Sequence, residues 1–154
     1  MKILVVTGRL AFDTVSRNVA DSGFDVDVFS LPVSVAAFIT PQFATRNLAR
    51  ESVKDYDLIL LPGTVRGDVT LVEKATGIPT FKGPSNMNDI SLLLGLLDRI
   101  ELSKTVSATE RLVDAQSERA ITEIRRDEEN WRSLLKEHGG LLIGSNGHQV
   151  PIGA

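Results

Sequence analysis

The stretch KILVVTG, residues 2–8, decides the fold class of this chain. Its first five residues form an almost unbroken apolar run, and it ends in the turn-forming pair Thr7-Gly8. A second run of the same kind, DLILL at residues 57–61, ends in Pro62-Gly63. Continuous apolar strands are typical of parallel sheets covered on both faces, because neither side of such a strand meets water. Both runs are therefore predicted to be central strands of a parallel sheet.

Helix patterns alternate with strand patterns over the first two-thirds of the chain. Helices are predicted at residues 12–21, 41 to about 52, 68–75 and 88–100. Shorter strands are predicted at residues 25–31 and 79–81. Thr40-Pro41 is typical of a helix start, since threonine caps free amides and proline fits the first turn. This alternation predicts an α/β fold of three αβα layers, Rossmann-like or flavodoxin-like, with a parallel sheet in the middle.

The last third of the chain has a different character. Residues 108–138 form a long, highly charged segment with apolar residues at helical spacing and no glycine or proline. A helix of about 30 residues extends roughly 45 Å. A final short strand is predicted at residues 141–143. We therefore expect a single α/β domain over residues 1–143, with its core in residues 1–100, and a linker over residues 144–154.

The composition argues against several functional classes. The 154 residues carry a net charge of −3 and few aromatic side chains (5%), so nothing favours electrostatic capture of nucleic acid or base stacking. The N-terminal apolar run is too short for a membrane span or a signal peptide. The absence of cysteine excludes disulfides and thiolate sites and fits a cytoplasmic location. We expect no nucleic-acid partner, no membrane association and no required cofactor.

Three polar segments follow predicted strands at their carboxyl ends. Ligands of open parallel sheets bind at this edge, where the strand order changes direction. The segments contribute two arginines, a lysine, hydroxyl groups and glycines, which let backbone amides approach an anion. A phosphate, a carboxylate or a pterin-like polar ring is therefore the predicted ligand. The candidate binding residues are Thr7, Gly8, Arg9, Gly63, Thr64, Arg66, Gly67, Asp68, Lys82, Gly83, Ser85 and Asn86.

The same segments also have a purely structural interpretation. Glycines after strands permit tight turns into helices, and arginines near such turns are commonly solvated or paired, here with Asp68. The sequence contains neither GxGxxG after its first strand nor GxxxxGK[ST], the fingerprints of dinucleotide and P-loop sites. Neither a catalytic constellation nor metal-ligand spacing is present in the sequence. We therefore predict no catalytic residue and no metal site.

Residues 31–41, LPVSVAAFITP, form a nearly all-apolar stretch between a predicted strand and a capped helix. One interpretation is a loop that folds over the end of the sheet and fills the core. The other is an apolar surface that docks a second domain or subunit. The sequence leaves both interpretations open.

Four motifs in the same order give the chain a family resemblance. They are TGRLA at residues 7–11, LPVSVAAFITP at 31–41, LPGTVRGD at 61–68 and TGIPTFKGP at 76–84. With these motifs the chain resembles, over essentially its whole length, the N-terminal region of the dihydropteroate-synthase-like proteins. That family is found in methanogens and in methylotrophs that use tetrahydromethanopterin, and a pterin-binding TIM barrel follows this region in its members. The resemblance implies an isolated N-terminal domain whose partner is that C-terminal barrel, and it implies no catalytic residue here.

Three functions are open at this point. The resemblance implies an accessory or ligand-binding domain of a transferase-like protein of pterin metabolism, of the tetrahydromethanopterin or folate type, and not catalytic alone. The polar segments also fit a phosphate- or nucleotide-binding Rossmann-like enzyme. The apolar stretch 31–41 and the long charged helix fit a docking module, with a homo-oligomer as one form of it.

Overall fold

Four parallel strands form the sheet in the computed structural model, which describes residues 1–48 and 53–137. The strands are β1 (Lys2–Thr7), β2 (Asp25–Ser30), β3 (Leu58–Leu61) and β4 (Thr80–Lys82). Their order is β2-β1-β3-β4, and all three pairings are parallel. The α/β fold with a parallel sheet is therefore confirmed.

Helices follow the strands along the chain. The described α-helices are α1 (Phe12–Ala20), α2 (Pro41–Leu48), α3 (Thr70–Thr76), α4 (Ile90–Gly95) and α5 (Ala108–Glu137). Two short 3-10 helices, at Ala36–Phe38 and Met87–Asp89, precede α2 and α4. The predicted start of α2 is confirmed, because the Thr40 hydroxyl accepts a hydrogen bond of 3.1 Å from the amide of Phe43.

The strands of the sheet send apolar side chains to both of its faces. Leu4 of β1 is paired with Ile59 of β3, and paired residues of parallel strands project to the same side. This face is covered by α2 and α3, and its core includes Leu48 and Val72. The other face is covered by α1 and α4, and its buried residues include Ile3, Val5, Val15, Val19, Leu58, Leu60, Ile90, Leu93 and Leu94. The predicted layer of helices on each side of the sheet is thus confirmed.

Most predicted elements differ from the observed ones by one or two residues at their ends. The helix predicted at residues 88–100 is an exception, since its α-helical part ends at Gly95. Leu96 and Ile100 lie in the turns that follow and are still buried. The helix was predicted too long because these two apolar residues have helical spacing. A buried turn is as apolar as the buried face of a helix, so the sequence does not distinguish them.

Some predictions fall on residues that the structure does not describe. These are the strand at residues 141–143, the linker over residues 144–154, position 138 of the long helix, and the end of the helix predicted to reach about residue 52.

The chain divides into two compact units, Met1–Asp114 and Ala115–Ala154, with the boundary inside α5. The single domain over residues 1–143 stays a prediction. Among the residues that the structure describes, we find no helix with both the length and the apolar character that crossing a membrane requires.

Candidate functional site

The direction in which successive strands are added to the sheet reverses between β1 and β3. Strand β2 lies on one side of β1 and strand β3 lies on the other. The crossovers through α1 (from β1 to β2) and α3 (from β3 to β4) therefore leave the middle of the sheet in opposite directions. In open parallel sheets this arrangement leaves a crevice at the carboxyl ends of the two strands, where ligands bind. The sheet thus places a candidate site just after Thr7 and Leu61.

A groove with a cavity volume of about 340 Å³ lies at this edge, within the unit of residues 1–114. The start of α1 (10–11 and 14–15) forms one wall, and residues 34–37 after β2 form another. Thr64 after β3 and residues 85–88 after β4 complete the lining. Small-molecule sites commonly have volumes of about 300–1,000 Å³. We call this feature the switch-point groove.

The lining of the switch-point groove carries no ionisable side chain. Its polar groups are hydroxyls, such as those of Thr14 and Ser34, and the carboxamides of Asn86 and Asn88. The side-chain oxygen of Asn86 accepts a hydrogen bond of 3.1 Å from the amide of Asn88, which orders this wall. The remaining lining residues are alanine, valine, leucine and methionine. Such a lining suits an uncharged ligand, because a buried charge would lose its hydration without gaining a counter-charge.

Three of the twelve predicted binding residues, Thr64, Ser85 and Asn86, line the switch-point groove. The Ser85 hydroxyl lies 2.8 Å from the hydroxyl of Ser107, and the Ser85 amide donates a 2.8 Å hydrogen bond to Thr109. The segment after β4 is therefore held from both its backbone and its side chain. The other nine predicted residues do not line the groove.

Three glycines among those nine, Gly8, Gly63 and Gly83, lie where the backbone of another segment packs closely against them. A Cβ atom at Gly8 would lie 2.9 Å from the backbone nitrogen of Ala36, and one at Gly63 would overlap the hydroxyl of Ser107. The amides of Gly63 and Gly83 donate hydrogen bonds of 3.0 and 2.7 Å to carbonyl oxygens of neighbouring segments. These glycines let the edge loops approach one another, and the amides of Gly63 and Gly83 are not free to hold an anion.

The loop after β3 leaves its charged residues outside the groove. Arg66 is exposed, as is Arg9 after β1, and neither forms a salt bridge with a described residue. Gly67 has a φ of 86°, in the left-handed region that favours glycine. Asp68 accepts hydrogen bonds from the hydroxyl and the amide of Thr70, and these donors lower the pKa of Asp68. Asp68 therefore closes the turn before α3 and is not the partner of Arg66.

Lys82 was predicted to lie in a loop, but it is the last residue of β4. Its side chain is only 5% exposed, and its ammonium group donates a 2.8 Å hydrogen bond to the carbonyl oxygen of Thr105. Its backbone amide donates a second bond, of 2.9 Å, to Ser103. Burial lowers the pKa of Lys82, because desolvation disfavours the charged form. Lys82 thus ties residues 103–105 to β4 and does not line the groove.

Two threonine hydroxyls near the carboxyl ends of β1 and β3 have no hydrogen-bond partner among the described residues. They are the buried Oγ1 atoms of Thr7 and Thr64. A buried hydroxyl without a partner costs about 1–3 kcal/mol. Because Thr64 also lines the groove, rotation of its side chain toward a ligand would recover part of this energy.

Residues 34–37 line the groove but were not among the predicted binding residues. The signal that pointed to them was the apolar stretch 31–41. Leu31 and Ile39 of that stretch are buried, whereas Phe38 is 73% exposed. The stretch therefore fills core at its two ends and presents an apolar surface in its middle. Docking of a partner on that surface stays a prediction.

Metal chemistry has no evident place among the described residues. No group of three or more histidine, cysteine, aspartate or glutamate side chains in residues 1–48 and 53–137 is arranged to hold a metal ion.

Comparison with known proteins identifies relatives without a known activity. The model of DUF6513, described as a family of unknown function, matches residues 1–85, which is more than half of the chain. The chain is also similar to an uncharacterized protein, MJ0107, of Methanocaldococcus jannaschii, with 36% identity over 136 residues. That match covers 84% of this chain but 26% of the relative, so the chain spans about a quarter of the relative's length. No solved structure matches the chain.

Proposed function

We propose, from the premise that the chain belongs to the DUF6513 family of unknown function, that it is a ligand-binding accessory domain of a larger protein. The domain is not catalytic alone. The larger protein is dihydropteroate-synthase-like and acts in pterin metabolism of the tetrahydromethanopterin or folate type. The four motifs described above support this assignment through their resemblance to that family.

The observation that carries the ligand-binding function is the switch-point groove. It lies where parallel sheets bind ligands, and its volume suits a small molecule. Several loops meet there through close glycine packing, which gives the groove a preformed shape. A preformed site loses little conformational entropy on binding.

The lining favours a flat, uncharged ring system as the ligand. Alanine and valine side chains of residues 34–37 and of α1 supply apolar walls. The carboxamide of Asn86 and the hydroxyls of Ser34 and Thr64 supply donors and acceptors for the edges of a ring. A pterin has such edges and carries no charge on its ring, so it fits this chemistry.

The larger protein supplies the reaction in this proposal. The relative from Methanocaldococcus jannaschii is about four times as long as the matched region, so most of such a protein lies outside the segment that this chain represents. The proposed partner is a pterin-binding TIM barrel on the same polypeptide. A cytoplasmic location belongs to the same proposal, because the cysteine-free composition fits a reducing compartment.

The phosphate- or nucleotide-binding alternative has one observation in its favour. Arg9 and Arg66 are exposed on the loops that follow β1 and β3, and neither is paired with a described carboxylate. A phosphate attached to a ring in the groove would have to reach them outside the groove lining. Binding of inorganic phosphate alone would favour this alternative over the neutral ring.

Calorimetric titration of the 154-residue chain with a pterin tests the proposal. The groove-filling substitution Ala37→Trp should weaken binding at least about tenfold, which is about 1.4 kcal/mol. The matched control Ala75→Trp places the same side chain on an exposed position of α3, away from the groove, and should bind like the wild type. Absence of binding heat with millimolar pterin would contradict the proposal. Equal weakening of pterin binding by both variants would indicate that the pterin binds outside the groove.

A further inference from the structure

Four buried side-chain hydroxyls in the described part of the chain have no hydrogen-bond partner there. They belong to Thr7, Ser16, Thr45 and Thr64. Of these four residues, only Thr64 lines the switch-point groove. A buried hydroxyl without a partner destabilises the folded chain, because it has lost its hydrogen bonds to water. A ligand in the groove would therefore supply the missing partner of Thr64.

The loop around Thr64 holds this residue at the groove. The amide of Gly63 donates a 3.0 Å hydrogen bond to the carbonyl oxygen of Pro84, and the amide of Val65 donates one of 3.0 Å to Pro62. The side chain of Val65 is only 1% exposed and packs in the core on the face covered by α2 and α3. Because the residues on both sides of Thr64 are fixed, rotation about its Cα–Cβ bond is the movement that turns the hydroxyl toward a ligand.

The carboxamide of Asn86 offers a ligand its donor group. Its oxygen already accepts the 3.1 Å hydrogen bond from the amide of Asn88. A backbone amide is a donor, so it identifies the accepting atom of Asn86 as the oxygen and not the nitrogen. The nitrogen of the carboxamide then remains for a ligand in the groove, and it can only donate.

The first turn of α1 adds backbone donors to the same groove. The N-cap of this helix is Ala11, whose side chain cannot accept a hydrogen bond from the first amides of the helix. Ala11 and Thr14 line the groove, whereas the acidic residue of this turn, Asp13, is exposed and lies outside the lining. The start of a helix carries a partial positive charge, so this wall favours an acceptor oxygen.

The polar groups of the groove are therefore biased toward donors. The hydroxyl of Thr64, the carboxamide nitrogen of Asn86 and the start of α1 can each donate to a ligand. The hydroxyls of Thr14 and Ser34 can donate or accept. The lining contains no carboxylate that would accept hydrogen bonds from amino groups. This chemistry suits a ring edge that carries a carbonyl oxygen better than an edge that carries an amino group.

We propose that the switch-point groove selects a ring with a carbonyl edge, and that Thr64 determines this selectivity by donating a hydrogen bond to the carbonyl oxygen. The inference rests on the ligand-binding function proposed above and names the ring edge that the groove recognises. Binding restores a hydrogen bond that no described residue provides to Thr64. Thr64 is thus a residue whose hydroxyl serves the complex and not the folded chain alone.

Calorimetric titration of the 154-residue chain with two pteridines tests the selectivity. One is pterin, and the other is a diaminopteridine, in which an amino group replaces the ring carbonyl. The wild type should bind pterin at least about tenfold more tightly, because the amino group offers no acceptor to the donors of the groove. Equal affinity for the two pteridines, or a preference for the diaminopteridine, would overturn the inference and leave the ligand-binding function in place. Absence of binding heat with both would contradict the ligand-binding function and the inference with it.

Three variants test whether Thr64 determines the preference. Thr64→Val keeps the shape of the side chain without its hydroxyl and should bind pterin about tenfold more weakly, with little change for the diaminopteridine. Thr64→Ser keeps a hydroxyl and should retain the preference for pterin. The matched control Thr45→Val removes another unpaired buried hydroxyl, on α2 and outside the groove lining, and should leave both affinities unchanged. A Thr64→Val variant with the wild-type preference would overturn the role of Thr64.

Thermal unfolding separates this role from a structural one. Replacing an unpaired buried hydroxyl by a methyl group removes a polar group that gained nothing from burial. Without ligand, Thr64→Val and Thr45→Val should therefore have a Tm equal to or higher than that of the wild type. Thr64→Val should thus lose pterin affinity without losing stability. A lower Tm together with equal weakening of both pteridines would show that Thr64 only maintains its loop, and this result would overturn the inference.

Discussion

The sheet of residues 1–100 and helix α5 use apolar side chains in contrasting ways. In β1 and β3 nearly every side chain is buried on one face or the other, and Ile59 is fully inaccessible. In α5 the side chain of Ile124 is 57% exposed although its helix is equally regular. The spacing of apolar residues along a segment therefore predicts its secondary structure, whereas burial against neighbouring elements decides how much the segment contributes to stability.

The largest expected difference between the two regions comes from the same substitution made in each. Ile59→Ala removes a buried side chain from β3 and should destabilise the sheet by about 2–5 kcal/mol, since it leaves a cavity. Ile124→Ala should change the stability of the monomer by less than about 0.5 kcal/mol, because the side chain is exposed there. Urea titration followed by hydrogen exchange of β3 amides, at a concentration where the chain is monomeric, measures both. Equal losses of unfolding free energy in the two variants would contradict the difference between the buried and the exposed isoleucine.

A second pair of variants tests the close packing of the edge loops that shape the groove. Gly63→Ala would force a Cβ atom into the backbone of residues 83–85 and should cost about 1–3 kcal/mol. Gly95→Ala, at the end of α4, meets no atom within 4 Å and should be neutral or stabilising by up to about 1 kcal/mol. Thermal unfolding of the two variants side by side gives the difference. A Gly63→Ala variant as stable as the wild type would show that these loops are not tightly packed.

The smallest expected effect is that of removing the carboxylate of Glu73, compared with removing an exposed carboxylate of α5. Glu73 accepts hydrogen bonds from Lys104 at 2.7 Å and from the amide of Thr80, and these contacts lower its pKa below the ordinary value of 4.5. A lowered pKa means that the unfolded state binds more protons. The contribution of Glu73 is therefore complete above pH 4.5 and is lost as the pH falls through the lowered pKa.

Glu73→Gln should accordingly lower the free energy of unfolding by about 1 kcal/mol or less at neutral pH. It should also make the free energy of unfolding fall less steeply as the pH is lowered. The control Glu118→Gln alters an exposed residue of α5 and should leave the curve of the sheet unchanged. Urea midpoints measured from pH 3 to pH 7 provide the comparison. An acid limb as steep in Glu73→Gln as in the wild type would show that the Lys104 contact adds nothing.

The sequence predicted the architecture well because the strands are buried on both faces. Runs such as ILVV and LILL have no polar position, so their assignment as strands does not depend on knowing which face of the strand meets water. The Thr40-Pro41 start of α2 was predictable for a local reason, since a cap needs only its own neighbours. The end of α4 was not predictable, because Leu96 and Ile100 are buried in turns that continue the helical spacing.

The candidate site was predictable only in part, because a motif places a residue near an edge but does not orient its side chain. Thr64, Ser85 and Asn86 follow strands and reach the groove as expected. Lys82 belongs to β4 and is paired with Leu61, so its side chain projects to the face covered by α2 and α3. The groove wall formed by α1 belongs to the opposite face. Strand β4 continues one residue further than predicted, to Lys82, and this places the lysine side chain on the face opposite the groove wall.

Mapping of backbone amide shifts in an NMR titration of the 154-residue chain is the most direct test of the switch-point groove as a neutral-ligand site. We expect a pterin to shift the amides of residues 10–15, 34–37, 64 and 85–88, and inorganic phosphate at the same concentration to leave them unchanged. Shifts caused by phosphate around Arg9 and Arg66, with none caused by the pterin, would contradict the account.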